Sequence, residues 1–149
     1  MAWFVPGRIE VFGKHTDYAG GRSILAASSQ GVTATATDPA SNVFLREGEV
    51  RASSTAAATR VTLKAGQACA LPVGHWGNYV QATIDRLTTN FGSLRPAVIE
   101  VDSALPLASG MSSSSALVSA VALALADHIH RLRQRIRCLA EFTDSLAER

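Results

Sequence analysis

The stretch AVIEVDSALPLASGMSSSSALVSAVALALA, residues 97–126, decides the fold. Ala97–Val101 is a compact β-branched run and reads as a buried strand. From about Ser113 the pattern changes to a long apolar segment ending at Ala126, which reads as a helix packed on most of its surface. Between the two, Leu105–Ser112 contains a proline and a glycine and reads as a loop. The helix continues through His128–Ala147 as an amphipathic segment. Ile129, Leu132, Ile136 and Leu139 fall on one side, with Arg131, Arg133, Arg135 and Arg137 among the polar positions.

Upstream of this unit, Trp76, Tyr79, Val80, Thr83, Ile84 and Leu87 recur at helical spacing, and Asn90 and Gly92 supply stop signals. The first half of the chain reads as strands. Trp3–Val5 and Ile9–Phe12 are apolar runs that Pro6-Gly7 should separate by a turn. Ser23–Ser28 and Gly31–Thr37 follow, the second alternating at period two. Asp38–Asn42 has turn composition, which predicts a hairpin from Gly31–Thr37 to Val43–Arg46. Ser53–Thr59, a Ser/Thr/Ala tract, reads as a loop, and Val61–Lys64 as a short strand. With strands first and helices second, the expected class is α+β.

Composition bounds the function. The 149 residues are 47% apolar and 17% charged, with a net charge of +2. That balance is globular and gives no electrostatic case for nucleic acid or an anionic membrane. Cys69 and Cys138 have no CxxC or metal-ligand spacing and read as free thiols of a reducing compartment. Residues 1–12 lack a basic region followed by a continuous apolar stretch, and Ala116–Ala126 is about half a membrane span. A cytoplasmic protein with no membrane and no nucleic-acid partner is expected. His128 and His130, two apart on a helix, point to different sides and do not form a metal pair. Asp127 and Asp144 read as solvated helix positions.

Two segments carry chemistry. Gly110-Met111-Ser112-Ser113-Ser114 lies at the strand-to-helix junction. A helix N-terminus leaves N–H groups unpaired and carries partial positive charge, and the glycine admits an anion close to the backbone. Serine hydroxyls add donors to phosphate and can ligate a phosphate-bound Mg²⁺. One serine suffices to cap a helix, and Ser112–Ser115 exceed that need. The loop is neither a Walker A sequence nor GxGxxG. The second segment, residues 6–21, concentrates Arg8, Lys14, His15 and Asp17 between glycines. Arg8 offers a planar fork suited to phosphate, and Asp17 and His15 could hold hydroxyl groups. On composition alone it equally reads as an ordinary polar turn.

Together the two segments resemble the GHMP kinase superfamily, in its galactokinase branch. Residues 6–18, PGRIEVFGKHTDY, resemble that branch's PGRxNxxGEHxDY signature; residues 106–114, PLASGMSSS, resemble its PxxxGLSSS phosphate loop; and Trp76-Gly77-Asn78-Tyr79-Val80 resembles WxNYV. The resemblance implies the ribosomal protein S5 domain 2-like fold of a GHMP kinase N-terminal domain over residues 1–149. It also implies an ATP-dependent sugar kinase using Mg²⁺. By position, Gly110, Met111, Ser112, Ser113 and Ser114 would bind ATP, with Ser114 the Mg²⁺ ligand. Arg8 would stabilise the transferred phosphoryl group, and Lys14, His15, Asp17 and Tyr18 would face the sugar. Trp76–Tyr79 would lie near the adenine side, with packing the main role of Trp76. Two positions depart from the signature: Glu10 replaces Asn, and Lys14 replaces Glu, which puts galactose itself in doubt. The family's catalytic Asp and C-terminal domain have no counterpart, so a fragment inactive alone is expected. Other readings are a kinase for another sugar or alcohol, a non-catalytic sugar- and ATP-sensing module, and, against the near-neutral charge, RNA binding.

Overall fold

The computed structural model describes residues 1–13, 19–106 and 110–147, with the side chains of the last helix described as far as His130. Five strands and two helices follow in the order β1 (Ala2–Phe12), β2 (Ile24–Thr37), β3 (Glu49–Ser54), β4 (Thr59–Lys64), α1 (Gly77–Phe91), β5 (Ala97–Ser103) and α2 (Ser113–Ala147). The strands form one sheet in the order β1-β2-β5-β3-β4. All neighbours are antiparallel except β3 and β5, which run parallel.

Alternation along the strands makes one face of this sheet the core. Val32, Ala34 and Ala36 of β2, Val50 and Ala52 of β3, and Ala97, Ile99 and Val101 of β5 are buried on it. Thr33, Thr35, Glu100 and Asp102 alternate with them and point the other way, as period two requires. Val80, Ile84 and Leu87 of α1 and Ala116, Ala120, Val121, Ala124 and Leu125 of α2 cover the buried face. Their spacing places them along one stripe of each helix. The many alanines in this layer let α2 lie close against the sheet. The result is a two-layer α+β arrangement, as the order of strands and helices predicted.

Several boundaries differ from those expected. Pro6-Gly7 does not end a strand; β1 runs through it with a register shift between Pro6 and Arg8. Proline is tolerated because β1 is an edge strand, where a missing N–H costs no ladder bond. Ser23–Ser28 and Gly31–Thr37 are one strand. The hairpin expected across Asp38–Asn42 is absent, and Val43–Arg46 lies in a loop with Phe44 90% exposed. The place beside β2 is taken instead by β5, from 60 residues further along the chain. Ser53 and Ser54 finish β3, a strand the sequence reading did not assign. The two helices begin where expected.

His128 is buried at 5% exposure, with its Nε2 3.7 Å from Asp38 Oδ1, while His130 is exposed, so the two do point apart. Asp127 is half-buried and its Oδ2 is fully covered, so it is not the solvated position expected. Cys69 is a half-buried free thiol. Among the described residues, no helix is long and apolar enough to cross a membrane.

Candidate functional site

The serine-rich loop and the Arg8 strand meet at one end of the sheet. The Arg8 backbone N–H donates to the Met111 carbonyl at 3.0 Å. Gly7 is buried at this contact, and a Cβ there would lie 2.6 Å from Leu105 Cδ2 and 3.4 Å from the Met111 carbonyl oxygen. Glycine lets β1 run this close to the loop without pushing the Leu105 side chain aside. The two motifs, about a hundred residues apart in sequence, are thus joined through backbone.

The loop's described backbone is left-handed at two positions. Gly110 has φ +71° and Ser112 φ +56°. Glycine adopts this left-handed region freely, whereas an L-residue pays about 1–2 kcal/mol for it. Left-handed residues in a turn aim successive N–H groups into a concavity that suits an anion. Ser112 then leads into α2, its carbonyl accepting from the Ala116 N–H at 3.0 Å. Met111, Ser112, Ser113 and Ser114 are each half-buried, and Gly110 is exposed.

A cleft of about 350 Å³ opens beside this helix start. Ser113, Ser114 and Leu117 of α2 border one side, and Trp76 and Tyr79 at the start of α1 border another. The turn between β3 and β4 closes it with Ala56 and Ala57. One end is therefore rich in hydroxyls at a helix N-terminus, and the other is aromatic and apolar. Such a cleft can take a ligand with an anionic end and a flat end. The Trp76 indole N–H donates to Thr59 Oγ1 at 2.9 Å, and its ring stacks on His75 at 5.8 Å. A larger concavity of about 420 Å³ lies on the helix-free face among Thr33, Thr35, Ser53, Glu100 and Asp102. It touches neither motif, so the chemistry points to the smaller cleft.

The structure joins Arg8 to Met111 through backbone and sets Trp76 and Tyr79 across the cleft from Ser113 and Ser114, whereas Arg8, Gly110, Met111 and Ser112 do not line that cleft. Lys14, His15, Asp17 and Tyr18 lie outside the described residues. The wall formed by Ala56 and Ala57 was not foreseen. Of the Ser/Thr/Ala tract read as a loop, residues 55–58 form the turn while Ser53, Ser54 and Thr59 belong to strands, and its place at the cleft depends on the parallel β3–β5 pairing. Asp127 stands thirteen residues beyond Ser114 on α2, about 20 Å along the axis at 1.5 Å per residue, too far to act on a ligand in the cleft. Among the described residues, no three His, Cys, Asp or Glu side chains converge on a metal position. A cation carried by phosphates needs few protein ligands, and the Ser113 and Ser114 hydroxyls at the cleft fit that need.

The chain matches the model of the GHMP kinases N terminal domain over residues 78–143 and that of the galactokinase galactose-binding signature over residues 1–37. A galactokinase of Thermotoga neapolitana is 30% identical over 123 residues, covering 83% of this chain and 32% of its own length. The crystal structure of Lactococcus lactis galactokinase complexed with galactose is 27% identical with a TM-score of 0.66, covering 80% of this chain and 30% of that one. The Methanococcus jannaschii mevalonate kinase, at 17% identity, shares the fold, with a TM-score of 0.68 over 87% of this chain and 40% of that one. The chain spans about a third of the length of the curated relatives it matches. A fold shared with two kinds of kinase, a signature strand at its start and a serine loop bonded to that strand lead to one conclusion: the chain belongs to the GHMP kinase superfamily and is similar to its galactokinases.

Proposed function

We propose that this chain binds MgATP in the cleft between α1, α2 and the β3–β4 turn, and serves an ATP-dependent kinase that phosphorylates a sugar hydroxyl. The observation that carries this reading is the Arg8 N–H bond to the Met111 carbonyl, 3.0 Å long, which fixes the signature strand against the serine loop. In this reading the Arg8 side chain brings positive charge to that loop. Phosphoryl transfer asks for that arrangement, because its catalysis is mostly positioning and neutralisation of charge.

In this reading Gly110, Met111, Ser112, Ser113 and Ser114 surround the phosphates with N–H and hydroxyl groups. Ser114 contributes a hydroxyl ligand to Mg²⁺, whose role when bound is to neutralise the phosphate oxygens. Arg8 stabilises the charge that develops on the transferred group. Trp76 and Tyr79 take the base against the small Ala56–Ala57 wall. Lys14, His15, Asp17 and Tyr18 hold the sugar, following the signature.

Ser114→Ala is the test. It should weaken MgADP binding about tenfold or more, the scale of a lost hydrogen bond to a charged group. Sugar binding, measured by the same calorimetry, should stay near the wild-type value. Equal loss of both ligands from a folded protein would mean that the serines serve only to cap α2.

A further inference from the structure

The turn between β3 and β4 is a wall of the cleft, and it is held from two directions. Toward β5, the Thr55 N–H donates to the Val101 carbonyl at 3.0 Å, and the Thr55 hydroxyl donates to Asp102 Oδ1. Within the turn, the Ala57 N–H donates to Ser54 Oγ at 3.3 Å, and the Ala58 N–H to the Thr55 carbonyl at 3.2 Å. Toward α1, the link is the Trp76 indole N–H donating to Thr59 Oγ1 at 2.9 Å. Thr59 is the first residue of β4, and Trp76 immediately precedes α1. This bond therefore ties one wall of the cleft to the other.

The Trp76 ring is set from its remaining sides by local contacts. It stacks on His75 with an interplanar angle of 29°, and His75 Nδ1 in turn accepts the Gly77 N–H at 3.0 Å. An indole nitrogen is a donor only, so its direction is decided by the acceptor it finds. Thr59 is exposed and does not border the cleft itself. Ala56 and Ala57 are too short to fix the width of the cleft by packing.

We infer that Thr59 is a positioning residue for the base end of the nucleotide cleft: through Trp76 it sets the gap between the alanine wall and the aromatic side. The inference rests on the cleft's being a nucleotide site, as proposed above. The phosphate end, built on α2, does not depend on Thr59. Nucleotide and phosphate affinities should therefore separate when this bond is removed.

The experiment compares MgADP with magnesium tripolyphosphate, which carries phosphates and no base, on the 149-residue chain by calorimetry. Thr59→Val keeps the shape and removes the acceptor. It should weaken MgADP roughly three- to tenfold, the net effect of one ordinary hydrogen bond, and leave tripolyphosphate unchanged. Thr59→Ser should restore the wild-type value. Trp76→Phe removes the donor from the other side together with Trp76's own contact with the base, so the double variant should lose no more than Trp76→Phe alone, since both break the same bond. Should Thr59→Val fail to fold, Thr59→Ala takes its place, with the same expected loss of MgADP alone. Undiminished MgADP binding by the variants, loss of both ligands in step, or additive losses would each overturn the role of Thr59. A wild-type chain that binds tripolyphosphate but not MgADP, or neither, would instead overturn the nucleotide reading, and Thr59's role with it.

Discussion

Lys14 is the residue whose chemistry departs furthest from the galactokinase signature, since an ammonium group stands where the pattern has a carboxylate. A carboxylate accepts hydrogen bonds from sugar hydroxyls, whereas an ammonium donates three and accepts none. The exchange also reverses the local charge. A substrate carrying an acidic or phosphorylated group gains a partner by it, and a neutral hexose loses one. We expect galactose to be a poor ligand within a panel of neutral, acidic and phosphorylated sugars, and Lys14→Glu to improve it by about tenfold, the scale of one charge-assisted hydrogen bond. Titration of the panel against both proteins checks this, and strong galactose binding that the substitution destroys would refute it.

Among the elements, β1 has the largest consequence for the site. Its bulge at Gly7 lets the strand pass Leu105 and Met111 at a distance that a side chain could match only by displacing Leu105. Gly7→Ala must displace the buried Leu105 side chain or lift β1 from the loop. Overpacking of this kind costs about 1–3 kcal/mol. It should lower the urea midpoint and, by straining the Arg8–Met111 bond, weaken MgADP as well. A variant matching the wild type in both would mean that the strand does not hold the loop. The same strand marks the limit of what the sequence made legible. The helices from Trp76 and Ser113 and the strand at Ala97 follow from periodicity, which is local. Pro6-Gly7 reads as a break because edge placement is not written in neighbouring residues. Val43–Arg46 reads as a hairpin partner because its apolar run cannot announce that β5 occupies that place. The serine loop and the signature were legible as motifs. The Ala56–Ala57 wall and the Thr59–Trp76 bond were not, because they arise from chain segments that meet only in three dimensions.

At the scale of the molecule, the β1–β2 pair reaches beyond the sheet. Residues 8–12 pair with 24–27, while β5 accompanies β2 only along 32–37. Ile9, Val11, Phe12, Ile24 and Leu25 on this two-stranded extension are all exposed, as is Leu123 on α2. Exposed apolar surface of this kind promotes association. The 149-residue chain should therefore self-associate as its concentration rises, and Val11→Thr with Phe12→Ser should suppress this in light scattering without weakening MgADP. Turnover should be absent or very slow in the same preparation, because no carboxylate among the described residues borders the cleft to accept the proton of a sugar hydroxyl. Coupled detection of ADP release against a sugar-free blank checks this. The sheet order carries a further consequence, for synthesis. β5 is the central strand and the last to be made. Until it leaves the ribosome, the β1–β2 and β3–β4 hairpins are two separate pieces, each with an edge that its proper neighbour has not yet filled. At 5–20 residues per second the interval between the end of β4, when both hairpins have been made, and the start of β5 lasts about 2–7 s. During those seconds the nascent chain offers two open β edges to any other strand nearby, and protection of these edges by chaperones would govern how much of it survives to fold.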